Sequence, residues 1–165
     1  MSALRSVTRL ALTGAPSLYR AARDAGADRA TALRVLGDSA LVLVRAARHS
    51  PRSWREQNAV RHFTWQAWLT ARHGLRLARA VATAQERGRE ALADSRVDRS
   101  NNASGQEYGE THADELVALG RRSAVSRLLA EATRRFRSGE LASEPRPPRR
   151  RHRRRRSAAD GPVSR

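Results

Sequence analysis

The stretch from Ser53 to Gly74 constrains the fold more than any other part of the chain. Ser50-Pro51 puts a proline in the first turn, and Ser53 with Glu56 has capping-box spacing, so a helix starts here. It should run to about His73, with Gly74 as its stop. Asn58, His62, Trp65 and Leu69 then share one face, while Val60, Phe63, Ala67 and Ala71 line another. A helix apolar on two sides needs neighbours on both, which places it in the middle of a bundle. His62 would be largely buried there, and a buried imidazole needs hydrogen-bond partners.

The rest of the folded part also reads as helix. Alanine, leucine and arginine are strong helix formers, and β-branched residues never alternate as in a strand. Helices are expected over Leu4 to Leu12, Pro16 to Ala25 (proline at the first helical position, Gly26 past the end), Ala30 to Ala47, and Leu75 to Arg87. In the third of these, Leu33, Leu36, Ala40, Leu43, Val44 and Ala47 form an apolar stripe, and Gly37 weakens the helix without breaking it. Residues 89–103 read as a polar, turn-prone connection in which Asn101-Asn102 begins a short helical turn. Thr111 is expected to cap a helix from His112 to Leu119, and Ser123 the last one, ending near Gly139. Trp54, Trp65 and Trp68 read as core anchors; His73 and His112, at helix ends, as solvated or capping residues. The expected fold class is all-α: a single compact helical bundle over 1–140, with its motif-bearing core at 53–110.

Residues 141–165 read as a disordered tail. Pro145, Pro147 and Pro148 stop regular structure, and eight arginines and one histidine follow within Arg146 to Arg156. The chain's net charge of +17 is unevenly spread: residues 1–85 carry 14 arginines and 4 acids, residues 86–145 carry 10 and 11, and residues 146–165 carry 9 and 1. All 33 basic side chains are arginine, which with the abundant alanine reads as the mark of a GC-rich bacterial genome. Cysteine is absent, which excludes disulfides, thiolate metal sites and a cysteine nucleophile. No apolar stretch approaches the roughly 20 residues that span a bilayer. The N-terminus resembles a signal peptide only faintly, with Arg20 and Arg23 soon interrupting its apolar run, so a cytoplasmic protein is expected.

Glu86 falls on one stripe with Leu75, Ala78 and Ala82, which carries a carboxylate inward, where it must be paired, bind a metal or take up a proton. His62 with Glu86 is a candidate acid–base couple, since a carboxylate orients an imidazole and raises its basicity; the alternative is a buried structural pair that locks two helices together. Asn58, Arg61, Trp65, Gln66, Asn101 and Asn102 are candidate ligand-binding residues. Asp94 and Asp98, with Asn101 and Asn102 three and four residues beyond Asp98, offer oxygen ligands suited to a divalent cation, the one cofactor class indicated, although no EF-hand loop is present. Ordinary turn chemistry explains the same residues. No nucleophile elbow, phosphate loop or dinucleotide fingerprint appears.

Arg61-His62-Phe63-Thr64-Trp65-Gln66-Ala67, Ala84-Gln85-Glu86, and Asp98 through Asn101-Asn102 to Gly105 resemble an uncharacterised bacterial helical family. Its members carry R-H-x-x-W-x-A, then A-H-E, then D-x-H-N-N-x-x-G, and the resemblance covers roughly residues 55–110. It implies no established activity, but its recurring His, Glu, Asp and Asn look like a site. Gln85 and Ser100 stand where many members have histidine, so two potential ligands or acid–base groups are missing.

Three functions follow as expectations. The leading one is a helical domain with a buried polar site around His62, Glu86, Asp98 and Asn102, binding a small ligand or cation or acting as a hydrolase. The second is nucleic-acid association through Arg149, Arg150, Arg151, Arg153, Arg154, Arg155 and Arg156, since dense guanidinium groups bind polyanions. The third is a structural remnant of an enzyme family.

Overall fold

The structure, a computed structural model, describes residues 14–50, 53–86 and 92–143. They form helices only: α1 (described from 14 to 24), α2 (Arg29–His49), α3 (Trp54–His73), α4 (Leu75–Glu86), α5 (Leu92–Thr111), α6 (Ala113–Ala118) and α7 (Arg121–Arg137). The expected Leu4–Leu12 helix lies outside the described residues.

α3 is the axis of the bundle. Ser53 caps it by accepting from the Glu56 amide at 3.2 Å, and every residue from His62 to Thr70 is buried. Helices α2, α4, α5, α6 and α7 all pack on it. The directions follow from paired side chains. Asn58, His62 and Gln66 of α3 pair with Asp98, Asn102 and Gln106 of α5 at a constant offset of 40 residues, so α3 and α5 run parallel. Trp65 meets Ser39 and Gln57 meets Ala47, so α2 is antiparallel to α3. Asp38, Arg45 and His49 of α2 meet Arg121, Ser126 and Thr133, so α7 runs parallel to α2. Helix α4 is the return stroke between the two parallel helices, and Gly74 makes the turn into it at φ 85°.

Close packing of α3 on α5 depends on Gly105 and Gly109, one turn apart on α5. A Cβ at Gly105 would overlap the Phe63 carbonyl oxygen and stand 3.0 Å from the Phe63 Cα. One at Gly109 would overlap the Ala67 carbonyl and stand 2.9 Å from the Ala67 Cα. The two backbones touch along this seam, leaving room only for glycine.

Several sequence expectations are corrected. Residues 92–103 are not a connection but the first half of α5. Asp98 and Asn102 face α3, where Asn58 and His62 and not water satisfy them, while Arg96, Arg99 and Ser100 are exposed. The buried stripe of α2 is Ala32, Val35, Asp38, Ser39, Val42 and Ala46, and Leu33 is 60% exposed. An alanine- and leucine-rich helix is apolar on more than one side, and the polar pair Asp38 and Ser39 marks the face that α3 covers. Trp54, in the first turn of α3, is 57% exposed, whereas Trp65 and Trp68 are core residues. Thr111 and Ser123 cap nothing: Thr111 donates to the Glu107 carbonyl within α5, and α7 starts earlier, after Gly120 at φ 74°. His73 is paired with Asp38 rather than solvated. Leu141 is buried and Ala142 is bound to Asn101, so the folded unit extends past residue 140.

Candidate functional site

Two buried polar centres lie along α3, and the larger is at the end where α3 and α5 begin and α4 stops. Asn58 donates Nδ2 to Asp98 Oδ1 at 2.8 Å, and its own Oδ1 accepts from Arg61 Nη2. One turn further, His62, 2% exposed, contacts Asn102 Oδ1 through Nδ1 at 3.0 Å. Asn102 Nδ2 donates to Glu86 Oε1 at 3.3 Å, and Arg99 faces the other Glu86 oxygen at 3.7 Å near the surface. These contacts fix the imidazole tautomer. A carboxylate only accepts, so the Asn102 NH₂ must face Glu86 and its oxygen must face His62. Nδ1 therefore carries the proton and Nε2 a lone pair.

That lone pair sits between a cation and an anion. Arg61 Nη2 lies 3.0 Å from His62 Nε2 and Asp98 Oδ2 lies 3.3 Å from it. With a neutral ring the guanidinium donates to Nε2. When Nε2 takes a proton it can donate to Asp98 Oδ2 instead. Glu86 and Asn102 thus set the proton on Nδ1, and Nε2 is left facing Arg61 and Asp98.

The sequence-derived residues divide accordingly. His62, Glu86, Asp98, Asn58, Arg61 and Asn102 converge. Asn101 turns away and clasps Ala142, donating to its carbonyl at 3.0 Å and accepting from its amide at 2.9 Å. Trp65 donates to Ser39 Oγ at 2.9 Å on the α2 side and meets the His62 ring edge-on at 6.3 Å between centroids. Gln66 accepts from Gln106 Nε2 at 2.8 Å, the next rung along the seam, and its own buried Nε2 has no hydrogen-bond partner among the described residues. Asp94 lies on α5, but its side chain is outside the described residues, as are the arginines at 149–156. Among the described residues no group of three or more His, Asp or Glu side chains is arranged to hold a metal ion.

The second centre was not anticipated. Asp38, 1% exposed in mid-α2, meets His73 Nε2 at 2.9 Å, Arg72 Nε at 3.5 Å and Arg121 Nη1 at 3.6 Å. It joins α2, the last turn of α3 and the first of α7. Gln106 was missed as well. The available signal for it was the four-residue spacing Asp98, Asn102, Gln106, visible once the segment is read as helix.

This helical bundle, with its polar relay between parallel helices, belongs to the family described as a domain of unknown function (DUF6973), which matches residues 40–136. The match runs from mid-α2 into α7 and contains the whole His62 cluster. No curated protein and no solved structure matches the chain. No helix among the described residues is long and apolar enough to cross a membrane.

Proposed function

We propose that the domain binds a small polar substrate at the α3/α5 end of the bundle and hydrolyses it, with His62 Nε2 as the general base. The observation that supports this reading is the setting of that nitrogen. Its tautomer is fixed through Asn102 and Glu86, and Asp98 is placed to stabilise the imidazolium. Arg61, on the same nitrogen, is the group that would receive an anionic oxygen of the substrate. A helix seam needs no such charge arrangement to be stable, since apolar packing would serve as well.

Hydrolysis of p-nitrophenyl acetate and p-nitrophenyl phosphate by the full chain tests the reading. The intact protein should turn over one of them, and His62→Gln should lower the rate by roughly 100-fold or more while circular dichroism stays unchanged. No turnover of either compound by the intact protein would sink the catalytic role. A divalent cation at Asp94 and Asp98 belongs to the same reading as an alternative ligand. It would raise the melting temperature with the logarithm of free Mg²⁺ or Ca²⁺, and identical melting with EDTA and with millimolar cation removes it.

A second reading is supported by the eight arginines between Arg146 and Arg156. They would hold nucleic acid through phosphate contacts that carry no sequence information, with a log–log salt slope approaching about −7 on duplex DNA if all eight engage. Replacing Arg149–Arg151 and Arg153–Arg156 by glutamine should flatten that slope; an unchanged slope rules the tail out.

A further inference from the structure

The folded domain has a charged face of its own. Helices α2 and α7 carry ten arginines against two acids, one of which, Asp38, is buried. Helices α5 and α6 carry six acids against two arginines. α2 and α7 lie side by side and parallel, and α2 packs on neither α5 nor α6. α7 meets the acidic group along one edge, where it packs on α6 with Arg127 paired to Glu115 at 2.6 Å and Arg135 lies over the Tyr108 ring of α5. Both turn their apolar stripes into the core, Val42 and Ala46 from one, Leu128 and Ala132 from the other.

On the outward side Arg34, Arg48, Arg122 and Arg137 are exposed, and among the described residues none has an acidic partner within salt-bridge distance. Arg45, held by Ser126 Oγ at 2.9 Å, lies in the seam between the helices. The surface between these arginines is low. Gly37 is exposed, and a Cβ there would meet only Arg121 Nη1, at 3.9 Å; Ser123 and Ala130 are the small exposed residues of α7. From Arg34 to Arg48 the helix extends about 21 Å at 1.5 Å per residue, or about six base pairs of a duplex at 3.4 Å each.

We infer that the α2/α7 face docks duplex DNA by its phosphate backbone, independently of both the C-terminal arginines and the His62 site. Guanidinium groups along two parallel helices match two rows of phosphates, and each phosphate neutralised releases condensed counterions. Apart from the Glu115–Arg127 pair, no acid of α5 or α6 among the described residues bridges to α2 or α7, so the charge asymmetry orients the domain on a polyanion. An anionic membrane fits less well. A helix lying in a bilayer interface buries an apolar stripe among the lipids, and the apolar stripes of α2 and α7 are already in the core.

The test uses the full chain, a fluorescein-labelled duplex and a salt titration. Arg34, Arg48, Arg122 and Arg137 are changed together to glutamine. A control with the same loss of charge changes Arg20, Arg76, Arg79 and Arg96, which are exposed on α1, α4 and α5. The face variant should bind more weakly at low salt, and its log–log slope should be shallower than that of the wild type by about 2 to 4. The control should stay close to the wild type. Face and control variants that bind alike overturn the inference, as does a wild type that fails to bind duplex at low salt. So does a face variant that loses binding to phosphatidylserine vesicles while keeping its affinity for DNA, since that identifies a membrane surface.

Discussion

Adding one methyl group at each of three helical glycines should give opposite signs of stability change. Gly37, Gly105 and Gly109 all have ordinary helical φ, so alanine at each gains about 1 kcal/mol of helix propensity. At Gly37 the new methyl meets nothing closer than Arg121 Nη1 at 3.9 Å, so Gly37→Ala should stabilise by about 0.5–1 kcal/mol. At Gly105 the methyl lands on the Phe63 carbonyl, 3.0 Å from its Cα and 3.1 Å from its carbonyl carbon. Those neighbours are backbone and cannot rotate away. Normal carbon contacts need about 3.5–4.0 Å, so α5 has to move off α3 by roughly 0.5–1 Å. Overpacking of this kind costs about 1–3 kcal/mol, and stretching the adjacent His62–Asn102 and Gln66–Gln106 hydrogen bonds adds about 1 kcal/mol each. After the propensity gain, Gly105→Ala should destabilise by about 2–4 kcal/mol, and Gly109→Ala by a similar amount. The pair should cost less than the sum, because a seam opened once has already lost its contacts. Urea unfolding followed at 222 nm measures all four variants. A Gly105→Ala protein as stable as Gly37→Ala would refute the close parallel seam and with it the relay built across it.

Asp38→Ala should destabilise by about 2–3 kcal/mol in the same assay, less than a fully buried pair because Arg72 and Arg121 are partly in water; Asp38→Asn, which keeps a partner for His73, should cost less. Trp68→Ala should cost about 3–5 kcal/mol and Trp54→Ala less than about 0.5, which equal effects would contradict. Arg134, hydrogen-bonded to Glu131 and assisted by Arg135, holds the Glu131 carboxyl at about 2 instead of its ordinary 4.5. A lowered carboxylate pKa adds stability above pH 4.5, and the gain disappears as pH falls from there towards 2. Solvent screening keeps it to about 1 kcal/mol. Glu131→Gln should therefore be less stable than the wild type at pH 6 and converge with it near pH 2, and a gap independent of pH would contradict this.

The sequence made α3 legible because every local signal agreed. Its capping box, its two apolar faces and its terminal glycine all pointed to the helix found at Trp54–His73. The convergence of His62, Glu86, Asp98 and Asn102 could be anticipated from residue type and from the stripes on α3 and α4. α5 was illegible for a physical reason. Asp, Asn, Ser and Gly have weak helix propensity and favour turns, and this segment is rich in all four. It is helical because the tertiary structure rewards those residues: Asp98, Asn102 and Gln106 find partners on α3, and Gly105 and Gly109 let the backbones touch. Propensity yields when each unfavourable residue has a specific contact to make.

The same logic explains why Leu33 was read as part of the core stripe and the buried Asp38 was missed. Hydrophobic periodicity locates a core face only when polar residues stay outside it. On α2 the core face includes Asp38 and Ser39 because α3 presents Trp65 Nε1 and His73 there, and both need a polar partner. α3 therefore imposes polar requirements on two neighbours, on α5 through Asn58, His62 and Gln66 and on α2 through Trp65 and His73. The two cases differ in chemistry. The Asp38 centre sets one carboxylate against a histidine and two arginines, which suffices to lock three helices together. The His62 centre has two carboxylates, two amides, a guanidinium and an imidazole whose Nε2 lies between the guanidinium and a carboxylate. Locking α3 to α5 requires only hydrogen bonds such as the Gln66–Gln106 rung. The excess charge gathered around a single nitrogen is what distinguishes that end of the seam, and it is the reason to look for proton transfer there before Asp38.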